Sequence, residues 1–316
     1  MELIKLNHPN SYKREDFPPL ALAMGYFDGV HLGHQEVIKS AIKAAEDNGL
    51  KSAVMTFDPH PSVVLGKSIK HVEYITPLEE KVAIIEQLGV DYLFIVHFTH
   101  EFAGLLPQEF IDGYVIGLNA KQAVAGFDFT YGKMGKGTME TIQFHSRGQF
   151  DYTVVPKLST SGEKISSTAI RTRLKAGEMD KIPGHLGRWY TTSGTVVHGD
   201  KRGRTIGFPT ANVDVNKDYI LPPIGVYAVR IMVKGDWHQG VCNLGYKPTF
   251  KDEKASRPSV EVYIFDFNEE IYGEQVVVEW HLRIRSERKF AGIDQLVEQI
   301  GKDKEEAKSY FENSLR

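Results

Sequence analysis

Two histidines three residues apart, His31 and His34, close a glycine-punctuated segment that runs Gly25-Tyr26-Phe27-Asp28-Gly29-Val30-His31-Leu32-Gly33-His34. An i, i+3 pair shares one helical face. Two imidazoles aimed at a phosphate supply donors poised near neutral pH to the charge that builds during transfer. The glycines let a ligand backbone approach closely, and a new helix offers unpaired N–H groups and the positive end of its dipole. The spacing therefore points to nucleotidyl transfer, although one ring capping a helix and one in the core would give the same pattern.

Three further segments suit the same cradle. Thr56-Phe57-Asp58-Pro59-His60-Pro61 ends a strand pattern, so its polar groups should emerge at the sheet edge that carries the histidines; a rigid proline turn explains it equally. Gly126-Phe127-Asp128-Phe129-Thr130-Tyr131-Gly132, followed by Lys133, Gly135, Lys136 and Gly137, could wrap phosphates with backbone amides. Ile165-Ser166-Ser167-Thr168-Ala169-Ile170-Arg171 puts hydroxyls at a helix start and an arginine one turn on, which suits a triphosphate or a plain N-cap. There is no Walker motif and no GxGxxG fingerprint. In the second half, Lys201 to Asn212 mixes basic residues and glycines with two oxygen ligands, Thr210 and Asn212, that could place Mg²⁺ beside ATP. A solvated basic turn leading into a strand fits that composition as well.

The elements that must position these groups change character along the chain. Apolar Leu20 to Met24 reads as a strand, and Val37, Ile38, Ala41, Ile42 and Ala45 follow at helical spacing up to Asn48-Gly49. Ser52 to Phe57 and Tyr92 to Phe98 are further strands. Thr76-Pro77-Leu78-Glu79 reads as a capping box opening a helix with Val82, Ile85 and Leu88 as its buried stripe. Helix-like Pro107 to Leu118 and strand-like Gln122 to Gly126 continue an alternation that predicts an α/β domain with a doubly wound parallel sheet. Past the glycine- and charge-rich Gly177 to Arg188, short strand patterns recur at Tyr190–Val197, Val226–Val233, Trp237–Asn243, Val260–Phe265 and Gln275–Ile284, with Lys234-Gly235-Asp236 as a hairpin turn. They predict a small antiparallel β-barrel that closes their edges, and Ile293 to Leu315 reads as helices packed by one face. The boundary is expected at 184/185, giving domains 1–184 and 185–316.

At 316 residues the chain is long for one core. Its net charge of −3 argues against a broad nucleic-acid footprint and for small anionic ligands. The single cysteine, Cys242, rules out an internal disulfide and a thiolate zinc site and favours a reducing cytoplasm. The Met1–Lys13 stretch is polar, no segment is apolar and long enough to cross a bilayer, and a cytoplasmic protein without membrane or nucleic-acid partners is expected.

The order and spacing of the front motifs resemble the bacterial FAD synthetase module of the nucleotidylyltransferase superfamily, in which HxGH and ISSTxIR elements bracket ATP. Lys201 to Asn212, Asn243-Leu244-Gly245-Tyr246-Lys247-Pro248-Thr249-Phe250, Val260-Glu261-Val262-Tyr263, Ile271-Tyr272-Gly273 and Leu282 to Glu287 resemble the riboflavin kinase family. Together, over approximately Leu20 to Asn313, they resemble the bifunctional bacterial riboflavin kinase and FAD synthetase. The resemblance implies ATP-dependent conversion of riboflavin to FMN by the barrel and of FMN to FAD by the sheet domain, with Mg²⁺ as cofactor. It implies catalytic roles for His31, His34 and Arg171 in the second step and for Glu261, as proton acceptor, in the first. Binding roles fall on Gly25, Phe27, Asp28, Gly33, Asp58, Asp128, Ser166, Ser167, Thr168, Lys201, Gly207 and Asn243, and metal contacts on Thr210 and Asn212. By residue type alone Glu261 would read as an exposed strand carboxylate. A monofunctional member with one active module and a flavin-sensing homologue without turnover are the alternatives.

Overall fold

The computed structural model describes residues 1–66, 71–160, 162–199, 202–246 and 257–314. It divides into two compact units, Met1–Ser167 and Thr168–Arg316. Residues 168–187 thus group with the barrel rather than with the sheet. The reason is local packing: a Cβ on Gly177, whose φ is +76°, would meet Arg283 Cδ of the barrel at 2.9 Å.

Among the described residues the main sheet of the first unit has six strands, β1 (Glu2–Leu6), β2 (Leu20–Met24), β3 (Lys51–Asp58), β4 (Tyr92–His97), β5 (Ala120–Gly126) and β6 (Asp151–Val155). All their pairings are parallel, in the order β1-β4-β3-β2-β5-β6. From β2 the chain steps to β3 and β4 on one side and later to β5 and β6 on the other, so β2 marks the topological switch, beyond whose carboxyl end ligands bind in such sheets. The glycine segment starts there. Side-chain alternation loads both faces: Leu22, Met24, Met55 and Phe94 join one apolar cluster, while Ala23, Val54, Leu93 and Val124 join another with Val37, Ile38 and Ala41 of helix α1 (Leu32–Asn48). Gly49, at φ +65°, ends α1 in the left-handed conformation that glycine adopts without a Cβ penalty.

Three local features differ from the sequence expectation. The polar N-terminal stretch supplies β1, because Ile4 and Leu6 alternate inward along it. Helix α2 (Leu78–Gln87) has no side-chain cap; Pro77 stands at its N-cap, and the Thr76 N–H is turned to Asp28 instead. Pro107 to Leu118 forms only a short α-turn, Pro107–Phe110, before π-helical winding over Ile111–Ile116.

The second unit begins in α3 (Ser167–Ala176), whose first residue belongs to the sheet unit. Among the described residues its six strands, β7 (Tyr190–Val197), β8 (Ala211–Val215), β9 (Gly225–Val233), β10 (Asp236–Gly245), β11 (Ser259–Ile264) and β12 (Gln275–Ser286), close as β7-β8-β11-β10-β9-β12 with antiparallel neighbours. Val233 pairs with Asp236 across Lys234 (φ +52°) and Gly235 (φ +98°), a two-residue turn whose left-handed residues match strand twist. Helix α4 (Ile293–Ser314) covers one side of the barrel, burying Ala307 and Phe311 against Val226, Ala228 and Val241. No helix among the described residues is long and apolar enough to cross a membrane.

Candidate active sites

In the sheet unit the chain leaves β2 through a turn with three residues at positive φ: Phe27 (+55°), Gly29 (+87°) and Val30 (+39°). Such geometry is rare for a bulky or β-branched residue and persists only where surroundings enforce it. Burial does so here. Phe27 and Val30 sit in the apolar cluster, and a Cβ on Gly29 would meet Ile75 Cγ2 at 3.1 Å. The buried Asp28 carboxylate accepts the backbone N–H groups of Ile75 and Thr76 at 3.0 and 3.3 Å, tying the turn to the strap that precedes α2.

The turn ends at His31, the N-cap of α1, whose Nδ1 accepts the His34 backbone N–H at 3.1 Å. A ring nitrogen that accepts carries no proton, so His31 is a neutral imidazole with its proton on Nε2. The His34 ring stacks on it, centroids 3.5 Å apart and planes 16° from parallel, with Phe27 edge-on at 5.3 Å. Burial, then the neighbouring His31 and the Lys81 ammonium, hold His34 well below the ordinary imidazole value of 6.5. Two neutral rings thus face each other, and His34 Nδ1 is buried with no hydrogen-bond partner among the described residues. A Cβ on Gly33 would lie 3.2 Å from the His31 ring, so glycine fits this position best.

Of the other expected binding residues, Gly25 and Ser167 contact the turn. The Gly25 N–H donates to Met55 of β3, and a Cβ there would collide with the Phe27 ring at 2.6 Å. Ser167 Oγ donates to the Asp28 carbonyl at 2.9 Å, which seats the serine-rich segment on the glycine turn. Asp58 ends β3. Asp128 is exposed and pairs with Lys164 at 3.0 Å, while Lys164 also lies over the Phe127 ring, linking the glycine-rich segment after β5 to the approach to Ser166. Thr168 and Arg171 fall in the second unit, Arg171 four residues after Ser167 on the same face of α3.

In the barrel, strand register does the assembling. Asn212 of β8 lies opposite Glu261 of β11, and Glu261 lies opposite Asn243 of β10. Paired residues share a face. Their neighbours Val213, Val260, Val262, Cys242 and Leu244 are buried inside the barrel, so the Asn212-Glu261-Asn243 row lies on its outer surface. The Ser259 hydroxyl stands 3.2 Å from Glu261 Oε1 and 3.0 Å from the Gly245 carbonyl. At the row's end, a Cβ on Gly199 would fall 2.3 Å from Asn212 Nδ2, so glycine there lets the amide lie against the backbone. Thr210 and Arg204 line a cavity of about 450 Å³ with Asn268, Glu269, Glu270 and Tyr272. The Tyr272 ring lies 4.0 Å from His198 in a tilted contact, the planes 34° apart. Gly207, at φ +85°, turns the chain toward Thr210. The Thr210 hydroxyl and Asn212 amide oxygen are neutral hard donors, a set that fits Mg²⁺ completed by water and substrate phosphates. Lys201 and the Lys247–Phe250 part of the expected kinase motif lie outside the described residues.

Sequence patterning missed Lys81. It is 2 % exposed, and its ammonium donates to the Tyr26 carbonyl at 3.1 Å and to Thr56 Oγ1 at 3.4 Å. Burial draws it down from 10.5 to about 8, against the opposing pull of Asp28 and Asp58. The available signal was its position four residues before Ile85, inside the apolar stripe of α2, where a lysine has to be explained.

Comparison with known proteins matches both halves. The FAD synthetase family model covers residues 13–169 and the riboflavin kinase model residues 186–311. A bifunctional riboflavin kinase/FMN adenylyltransferase from Bacillus subtilis (strain 168) is 55% identical over 313 residues, 99% of each chain. One from Listeria monocytogenes is 48% identical over 311 residues, 98% of each chain. A crystal structure described as a macrolide-efflux protein from Streptococcus pneumoniae matches with TM-score 0.86 at 36% identity, covering 96% of this chain and 97% of the other.

Proposed function

The chain belongs to the bifunctional riboflavin kinase/FMN adenylyltransferase family, and we propose that its two reactions rest on separate residue sets: Glu261, Thr210 and Asn212 for phosphorylation, and His31, His34 and Arg171 for adenylylation. The protein converts riboflavin to FMN and FMN to FAD, with ATP as co-substrate in both steps. We assign the kinase to residues 185–316 and the adenylyltransferase to residues 1–184, and we place the enzyme in the cytoplasm.

In the first reaction Glu261 accepts the proton of the terminal ribityl hydroxyl as its oxygen attacks the γ-phosphorus. The bond from that phosphorus to the β–γ bridging oxygen breaks, and ADP leaves. The register that sets Glu261 between Asn212 and Asn243 supports this role, since the two amides can hold substrate on either side of the carboxylate. The cavity beside Thr210 is the site we assign to ATP. Mg²⁺, held by Thr210 and Asn212, would offset phosphate charge.

In the second reaction an oxygen of the FMN phosphate attacks the α-phosphorus of ATP and pyrophosphate leaves. The attacking group is already anionic and needs no base, so catalysis rests on positioning and on stabilising charge at the α-phosphate. The observation that carries this reading is the stacked, neutral His31–His34 pair at the N-terminus of α1. It presents the His31 Nε2–H and the His34 ring as uncharged donors, and Arg171 adds a permanent cation. Gly25, Asp28, Gly33, Asp58, Asp128, Ser166, Ser167 and Thr168 form the nucleotide and flavin surroundings in this reading, with Phe27 backing the His34 ring.

Incubation of the purified protein with riboflavin, ATP and Mg²⁺, followed by chromatography of the flavins, tests the whole scheme. FMN accumulating first and FAD second is expected. FMN without FAD would leave only the kinase, and no conversion would favour a flavin sensor.

A further inference from the structure

Beneath the glycine turn lies a buried ammonium to which neither reaction has yet assigned a role. Lys81 reaches from the first turn of α2 to the ends of two adjacent central strands, donating to the Tyr26 carbonyl just past β2 and to Thr56 Oγ1 of β3. Thr56 Oγ1 itself donates to that carbonyl at 2.8 Å. The ammonium also stands 4.5 Å from the centroid of the Tyr26 ring, which meets the edge of His60 at 4.5 Å. Both hydrogen-bonded oxygens are neutral, and burying a charge on neutral acceptors is costly. Asp28 and Asp58 offset part of that cost, and the remainder makes a use beyond folding the point to test.

We propose that Lys81 is a positioning residue for the adenylyl-transfer step, its buried ammonium clamping the Tyr26 carbonyl to β3 and so fixing the floor of the turn that carries His31 and His34. The proposal rests on the adenylyltransferase reading of this site. The next residue, Phe27, enters left-handed backbone and packs edge-on to His34, so the carbonyl that Lys81 holds is the last fixed point before the strained turn. The same charge acts on the histidines. Lys81 helps keep His34 unprotonated, leaving it a neutral hydrogen-bonding ring, and adds positive potential where nucleotide phosphates would lie. The titratable groups facing Lys81 are Asp28 from the turn, Asp58 from the end of β3, Tyr26 beyond β2 and His34 from α1; Tyr74, from the strap before α2, faces Tyr26.

The test measures FAD formation from FMN and ATP between about pH 6 and 10, in the full-length wild type and in Lys81→Met. FMN formation from riboflavin by the same preparations is the internal control. The wild-type rate of FAD formation should fall as Lys81 loses its proton near pH 8. Lys81→Met should lack that alkaline limb and run about 10- to 100-fold slower in kcat. Its FMN formation should be unchanged and its thermal midpoint equal or higher, since an apolar chain of similar length replaces a buried charge and the Tyr26 carbonyl keeps the Thr56 hydroxyl. A merely structural lysine would instead lower the thermal midpoint and leave the pH profile alone. In Lys81→Arg the charge persists, and the alkaline limb should move beyond about pH 10 whatever the plateau. A wild-type profile without an alkaline limb, a limb kept near pH 8 in either variant, or FAD formation by Lys81→Met at the wild-type rate would overturn the proposal. A wild type that makes no FAD would overturn the adenylyltransferase reading itself.

Discussion

In the sheet domain the histidine pair follows a turn of left-handed backbone at Phe27, Gly29 and Val30, whereas in the barrel Asn212, Glu261 and Asn243 stand on extended strands in register. The first arrangement stores strain and is held from outside, by the buried Asp28 carboxylate and by Ile75. The second is held by the ladder itself, because a one-residue slip would turn the whole row into the barrel interior. On the proposed site assignment, the contrast makes the adenylyl-transfer site tunable through buried titratable groups and the kinase site tunable through side-chain identity on a rigid frame. Beside the turn, His34 of α1 and Lys81 of α2 are both buried, and burial lowers the protonation range of each.

The sharpest way to break this comparison is to remove one site and watch the other. Glu261→Gln keeps the size and register of the side chain but cannot accept a proton. FMN formation should fall about 10²- to 10⁴-fold in kcat, while FAD formation from supplied FMN continues, as read by chromatography of both flavins. His31→Ala removes one imidazole and the cap that holds α1. FAD formation should fall about 10²- to 10³-fold with FMN formation spared.

A smaller effect concerns stability. The unfolded chain takes up a proton on His34 near pH 6.5, whereas the folded chain takes it up only well below that value. As pH falls through 6.5 the unfolded state therefore binds more protons, and the sheet domain loses stability with a slope of up to about 1.4 kcal/mol per pH unit from this group until the folded ring titrates too. Urea unfolding at a series of pH values, with His34→Gln as the comparison, should show the slope in the wild type and a shallower one in the variant. The smallest effect belongs to the barrel's hairpin. Gly235→Ala places a Cβ at φ +98° and should cost about 1 kcal/mol in the same assay, with both reactions unaffected.

Much of the fold follows from local pattern. Leu20–Met24 and Tyr190–Val197 coincide with their predicted spans, α1 stops where Asn48-Gly49 says it should, and Lys234-Gly235 makes the expected turn. Each is a case where side-chain period or glycine conformation decides the backbone within a few residues. The misses have the opposite character. Strand β1 alternates its buried Ile4 and Leu6 with charged residues inside a stretch read as polar, and is defined by pairing with β4 some ninety positions away. Thr76 has the composition of a cap, but its N–H answers to Asp28, a partner that no local window contains. Among site residues, His31 and His34 were readable because their spacing is local. Lys81 was not, because a lysine inside an apolar stripe gains meaning only from the carbonyl and hydroxyl it meets.

What the sequence alone determined is chemical inventory and local geometry: the imidazole pair at a helix start, the glycines that permit the turn, the hydroxyls before Arg171, and the alternation that separates a sheet domain from a barrel. Only the tertiary structure decided which strands became neighbours, and with that the row through Glu261, the neutral state of the two stacked histidines and the buried charge beneath them. Spacing along a chain fixes what each residue can do, but protonation and orientation depend on the dielectric and the partners around it, and those are supplied by segments distant in sequence.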